Sequence, residues 1–365
     1  MNNARTILPL IGREWFLLIP TTTSLAFLGG LRAETNGTVL ALTLGLFVVL
    51  LGCSLNVVRH AEHLAARLGE PYGTLLLTFA VTIIEVMSIS ALMTHDGSET
   101  PLARDTVFAV VMILLNFMVG VSLLAGGWKY REQQFNLQGA NAYLGVIIPL
   151  TVLSLILPSF TNTTSGPTLS GAQELFVASV SVGLYATFLG MQTVRHRGYF
   201  MLGETAVEER HPQSPLPTWL HTALLAAYLG PLVYLAEQLG EPMDKLLSLG
   251  NIPHALGGTL IALLVAAPEA LGAVRAALAN QLQRAMNIFM GSVLSTIGLT
   301  IPAMILLSRI RGNELALGLN DANAMLLALT LVVSLITFSS RRTNVLQGAV
   351  HLVLFGAYLL LIFQS

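Results

Sequence analysis

The 365-residue chain has one cysteine, Cys53, and only 10% charged residues. A lone thiol has no intrachain disulfide partner and no companion for a thiolate metal site, and Cys53 stands inside an apolar run where it reads as a small buried residue. Positive and negative charges nearly cancel, 18 Lys and Arg against 19 Asp and Glu, and no basic face with interleaved aromatics occurs, so nucleic acid is not an expected partner. The apolar stretches carry no HExxH pair and no nucleophile with a base beside it, which argues against a membrane-embedded enzyme. A cleavable leader is not expected either, because Asn2 to Arg13 runs into a hydrophobic span without an evident small-residue cleavage site.

What the chain has in excess is hydrocarbon. With 54% hydrophobic residues and a mean hydropathy of +0.72, it cannot cover itself with polar surface in water, and an all-α integral membrane protein is expected. Eleven apolar segments are each long enough to cross about 30 Å of hydrocarbon as a helix. They are Trp15 to Leu31, Thr38 to Val58, Thr74 to Met93, Thr106 to Gly127, Ala142 to Phe160, Gly171 to Val194, Trp219 to Glu237, His254 to Leu278, Met286 to Leu307, Asn323 to Phe338 and Leu346 to Phe363. Cytoplasmic loops retain Lys and Arg. With the N-terminus inside, thirteen of the eighteen basic residues fall on one face, and only Arg32, Arg104, Lys245, Arg309 and Arg311 on the other. The C-terminus is then outside.

The longest polar stretch, Arg195 to Pro217, divides these spans into six and five. Setting the first aside leaves five on each side, and an odd number per half inverts the second half, as in inverted-topology transporter repeats. The expected organisation is therefore residues 1–37 as tail and leading helix, 38–194 as one five-helix repeat, 195–218 as a cytoplasmic linker and 219–365 as the second repeat. Nothing in the sequence specifies an oligomeric state.

Two acids interrupt the apolar runs. Glu85 sits mid-way along Thr74 to Met93 and Glu269 in the eighth span, and each would cost roughly 2.5 to 3.5 kcal/mol to insert without compensation, which marks a functional position. Gly73-Thr74 and Gly258-Thr259 precede them at similar spacing, and inverted repeats would bring equivalent elements together at the midplane. Thr78, Thr82, Glu85 and Ser88 fall on one helical face, offering oxygen ligands beside the carboxylate, or hydroxyls that bond back to their own helix. Pro268 lacks an amide hydrogen, so the carbonyl of Leu264 loses its helical partner and either faces an ion or marks a simple kink. Elsewhere Arg59, His60, Glu62, His63 and Arg67 read as a solvated cytoplasmic end, His254 and His351 as satisfied polar residues near span ends, and Glu174 and Glu237 as interfacial. In the linker, Glu204, Glu208 and Glu209 read as solvated acids, with attraction or sensing of calcium as the alternative.

GEPYGTLLLTFAVTIIEVMSISALM from Gly69, LVAAPEALGAVRAALANQLQRAMNIFMGSVLSTIGLTIP from Leu264, GNEL at Gly312 and RTNVLQGAVHLVLFGAYLLLIF from Arg342 resemble the bacterial calcium/proton and sodium/proton antiporters of the calcium/cation antiporter superfamily. The resemblance implies a leading span with two inverted five-span repeats in a bacterial inner membrane, and paired acids, here Glu85 and Glu269, that alternately bind a cation and protons. Ser292 keeps the family residue in its Gly-Ser pair. The chain departs from the calcium specialists at Thr82 and Ala266, where they commonly have Asn, and at Ser295, near where they have Gln.

Two carboxylates in a poorly hydrated site repel one another and are desolvated, so the empty site is expected to hold protons that a cation must displace. Carboxylate, hydroxyl and carbonyl oxygens suit calcium or sodium, and no cofactor is expected, cation and proton being cargo. Two negative charges favour calcium; a sodium (or potassium)/proton antiporter with calcium as a minor substrate is the alternative.

Overall fold

The computed structural model describes residues 12–31, 35–68, 72–95, 101–164, 166–202, 216–253, 255–312 and 314–364. In chain order its helices are α1 (Leu18–Leu28), entered through a 3-10 segment Gly12–Leu17, α2 (Asn36–Leu68), α3 (Tyr72–His95), α4 (Ala103–Tyr130), α5 (Leu137–Phe160), α6 (Gly171–Arg195), α7 (Thr218–Leu249), α8 (Ala255–Leu278), α9 (Leu282–Arg311), α10 (Asp321–Thr337) and α11 (Val345–Gln364). Among the described residues, eight of these are long and apolar enough to cross a membrane, and α1, α3 and α10 contribute shorter apolar stretches. The chain is a multi-pass membrane protein.

Burial supports the same reading from the side-chain pattern. On α10, Thr330, Ser334 and Thr337 are buried while Met325, Val332 and Ile336 are exposed, so the polar face is inside and the apolar face outside. That inversion suits lipid, where hydroxyls gain by meeting between helices and alkyl groups have nothing to gain by hiding. Large exposed apolar residues on α6 (Leu175, Phe176, Val182) and α11 (Leu346, Val353, Leu360) repeat it.

Two helices run well past their expected ends. Helix α2 continues from Val58 to Leu68 because its buried stripe continues through Val57, Ala61 and Leu64 at spacings of four and three. Helix α7 continues past Glu237 to Leu249, since Leu235, Leu239, Met243 and Leu247 keep one face buried, with Glu241 and Lys245 paired on the exposed side. Lys245, expected in a loop, is therefore helical. A second correction concerns the all-α expectation: Glu132–Gln134 (β1) and Arg342–Asn344 (β2) form a short antiparallel ribbon. Three residues per strand leave too little sequence for a period-2 pattern to register.

The chain folds as two compact units, one from Met1–His95 with Val207–Gly257, the other from Asp96–Ala206 with Gly258–Ser365. In the first, α2 and α7 pack along each other, with α3 against both and α1 against α7. At one end of this unit Arg67 donates to the Leu216 carbonyl and to the Thr218 hydroxyl, tying α2 to the start of α7.

The second unit groups its loops at two ends. At one, β1 pairs with β2, Gln133 donates to the Ala277 carbonyl at 2.8 Å, and Asn136 donates to the Gly198 carbonyl at 3.0 Å. At the other, Thr168 bridges to Ala316 and Arg104 donates to the Gly318 carbonyl at 3.2 Å. The first set contains loops expected on the basic face, the second loops expected on the opposite face.

Close backbone approach holds α4 to α11. A Cβ built on Gly348 would lie 2.6 Å from the Leu124 amide nitrogen and 2.8 Å from the Gly120 carbonyl oxygen, and one on Gly120 would lie 3.1 Å from the Gly348 carbonyl. Helices in lipid associate by such contacts between small residues. A buried polar cluster is bonded across the same elements. Asn116, inside the π-helical segment Ile113–Met118 of α4, donates to Thr330 at 2.9 Å and lies 3.2 Å from His351 Nδ1, whose Nε2 is 3.0 Å from Thr337. His351 is thus a satisfied polar residue as expected, although it sits within α11 rather than at its edge.

Candidate cation site

Glu85 is placed by α3, whose exposed residues Phe79, Ile83 and Met87 recur every four positions. The remaining surface carries Thr82, Glu85 and Ser88 inward, at 7%, 3% and 4% exposure. One turn before the acid, the Thr82 hydroxyl is buried and has no hydrogen-bond partner among the described residues. That separates it from Thr43, Thr151 and Thr193, each of which donates to the carbonyl four residues earlier in its helix. The side chain of Thr78 lies outside the described residues, as do Glu204, Glu208, Glu209 and His254.

Glu269 belongs to α8, in which Pro268 is accommodated inside the helix. The missing amide of Pro268 removes the hydrogen bond to the Leu264 carbonyl, and Leu264 is buried at 4% exposure. Glu269 itself is half-buried. Its Oε2 accepts a hydrogen bond of 2.6 Å from the hydroxyl of Ser292, 23 residues later on α9.

Ser295 is not aimed the same way: its hydroxyl donates to the Ser292 carbonyl at 2.9 Å, inside its own helix. Immediately beyond, α9 widens into a π-helical segment, Thr296–Thr300, as α4 does at Ile113–Met118. Such one-turn expansions are frequent near functional sites, and α5 and α6 also carry them, at Val152–Ile156 and Met191–Arg195. Of the residues singled out from sequence, the structure brings Ser292 onto Glu269 and sets Thr82 and Glu85 on one buried face. Glu85 belongs to the first unit and Glu269 to the second.

A cluster that sequence reading assigned to solvent is partly interior. His60 is only 1% exposed and His221, on α7, equally so, and their Nδ1 atoms are 2.9 Å apart. The reason is the extension of α2, which carries His60 along the buried stripe instead of out of the protein. Glu14, which was not singled out, is buried beside them and accepts from Arg59. Glu174, expected to be interfacial, accepts a hydrogen bond of 2.7 Å from the half-exposed Arg309. The signal available for Asn116 was a lone amide in the otherwise apolar span Thr106 to Gly127, a residue type that in lipid calls for an interhelical partner.

The sequence matches the family described as sodium/calcium exchanger protein over residues 38–194 and 220–364, most of its length. The chain belongs to that family. It is 39% identical, over the whole of both chains, to the sodium-potassium/proton antiporter ChaA of Escherichia coli (strain K12). It is 23% identical to the Ca2+/H+ antiporter ChaA of Bacillus subtilis (strain 168) over 82% of this chain and 84% of that one. Among solved structures, that of native YfkE superposes with a TM-score of 0.73 at 18% identity, covering 96% of this chain and all of that one. At such identity the superposition speaks for the fold.

Proposed function

We propose that the chain is a secondary cation/proton antiporter of a bacterial inner membrane, exporting calcium in exchange for protons by alternating access at a site built on Glu85 and Glu269. In this reading one leading helix precedes two inverted five-helix repeats, the N-terminus is cytoplasmic and the C-terminus outside. Thr82, Thr78, Ser292 and the Leu264 carbonyl complete an all-oxygen ligand set for a hard cation. The observation that carries the proposal is the Ser292 hydroxyl at 2.6 Å from the Glu269 side chain, two oxygen-bearing groups from separate helices at one point. The Thr82 hydroxyl supports it from the other half, being one turn from Glu85 and unused by its own helix.

The mechanism follows from charge. Protons and a cation compete for the same carboxylates, so the site crosses the membrane loaded with one or the other, and cation efflux is driven by proton entry. Calcium is favoured because one divalent ion balances two carboxylates, whereas a single sodium leaves one of them protonated or uncompensated. The printed name of the Escherichia coli relative favours a second reading, sodium or potassium as the principal cation, and that of the Bacillus subtilis relative the first.

Inverted vesicles with an imposed pH gradient separate the two. Calcium is expected to dissipate the gradient at lower concentration than sodium, potassium or magnesium. Raising the pH lowers the apparent half-saturation concentration, since fewer protons then compete for the carboxylates. Sodium acting at micromolar levels where millimolar calcium fails would reverse the order, and a half-saturation independent of pH would remove the shared site.

Ser292→Ala is expected to leave maximal rate nearly intact while raising the half-saturation concentration about tenfold. This takes the lower end of the range of about 1.5 to 3 kcal/mol that a hydrogen bond to a charged group contributes, tenfold corresponding to about 1.4 kcal/mol. An unchanged concentration dependence would show that the hydroxyl does not act on the bound cation.

A further inference from the structure

The first unit holds a buried chain of titratable groups away from the proposed cation ligands. Arg59 donates to Glu14 Oε1, and the Tyr228 hydroxyl donates to Glu14 Oε2 at 3.1 Å. His60 Nε2 lies 3.3 Å from Arg59 Nη2 and 3.6 Å from Glu14 Oε2, while its Nδ1 is 2.9 Å from His221 Nδ1. The His63 ring packs on His221 with centroids 4.8 Å apart. The charged and titratable groups facing the pair are therefore Glu14 from the segment before α1, Arg59, His63 and Arg67 from α2, and Tyr228 from α7.

Donor and acceptor counting assigns the tautomers. A guanidinium only donates, so His60 Nε2, facing Arg59, is an acceptor and the neutral ring carries its proton on Nδ1. Two Nδ1 atoms at 2.9 Å share one proton between them. His60 donates, His221 accepts, and the His221 proton is left on Nε2, which is buried and has no hydrogen-bond partner among the described residues.

We infer that the His60–His221 pair is a proton-binding site, distinct from the carboxylates that take the cation. One proton from water enters at His60 Nε2, the atom already turned toward Glu14 Oε2. An imidazolium there repels Arg59 and competes with it for Glu14, so a single protonation exchanges the partner of the carboxylate. Since Glu14, His60 and His221 come from the leading segment, α2 and α7, the exchange loosens or tightens all three elements together. The occupancy of the pair then sets the maximal transport rate, whereas protons at the carboxylates set the half-saturation concentration. This last consequence rests on the antiport reading; the proton site does not.

Imidazole nitrogen NMR on 15N-histidine-labelled protein in lipid nanodiscs tests the site without transport. At alkaline pH the expected signals are an Nδ1–H tautomer for His60 and an Nε2–H tautomer for His221, and acidification adds one proton to the pair. Glu14→Gln moves that uptake to lower pH because the imidazolium loses its counter-charge. Two rings that titrate independently, or a titration that Glu14→Gln leaves in place, overturn the proposal whether or not the protein is an antiporter. In vesicles at saturating cation, His60→Gln is expected to flatten the dependence of maximal rate on pH with the half-saturation concentration preserved. A profile identical to that of the unaltered protein would deny the pair any part in transport, leaving the NMR result to decide the site itself.

Discussion

Glu269→Gln and Glu85→Gln are each expected to abolish cation-driven proton movement while the protein still inserts and runs as an intact species in detergent. Gln keeps the volume and the oxygen ligand but removes one negative charge and one titrating group. An interaction between unit charges at 4 Å amounts to about 4 kcal/mol at an effective dielectric of 20, so losing one carboxylate from a divalent site lowers affinity roughly a thousandfold or more. The check is gradient dissipation in inverted vesicles across calcium and sodium concentrations, with membrane content measured in parallel. Robust exchange by either variant would show that the acid is a structural group bonded between helices. The Ser292 hydroxyl at 2.6 Å from Glu269 joins this acid to a second helix in either case, so the exchange assay, and not the hydrogen bond, separates the two roles.

The second large effect is on assembly. Gly348→Val is expected to prevent the folded protein from accumulating, because its Cβ would come within 2.6 Å of the Leu124 backbone nitrogen and 2.8 Å of the Gly120 carbonyl oxygen. Backbone cannot rotate away as a side chain does, so α4 and α11 must separate, and with them the Asn116 to His351 bond at 3.2 Å. Overpacking alone costs about 1 to 3 kcal/mol, before the polar cluster is disturbed. Gly356→Val, on the same helix with nothing within 4 Å of its Cβ, serves as the matched control. Thermal unfolding in detergent distinguishes them; equal midpoints would mean that the α4–α11 contact is not tight.

Much of the fold was legible in the sequence because hydropathy is a local, additive signal. The runs centred on α4, α5, α6, α8, α9 and α11 are apolar whatever they pack against, and transfer to hydrocarbon requires their backbone groups to pair internally as helices. The basic residues sorted the loops for a similar reason, each acting through its own charge. Glu85 and Glu269 stood out as polar groups where polarity is costly, which requires no knowledge of their neighbours, whereas Ser292 was marked only by the family resemblance.

The ends of α2 and α7 were not legible by the same means. Past Val58 and past Glu237 the mean hydropathy falls, and only the stripe through Ala61 and Leu64, or through Met243 and Leu247, keeps those turns helical and buried. A stripe gains its stability from the surface that covers it, and that surface is another helix distant in sequence.

By itself, then, the sequence determined that this protein lives in a membrane and which two acids the apolar runs cannot carry without a reason. Tertiary structure decided which hydroxyls serve the acids: Ser292 donates to Glu269, Ser295 is spent on its own helix, and Thr82 is left open. It also turned a histidine that read as solvated into half of a buried pair with another 161 residues away. Hydropathy sums over neighbours along the chain, whereas a hydrogen bond depends on the direction of two side chains from separate helices, and only packing sets that direction.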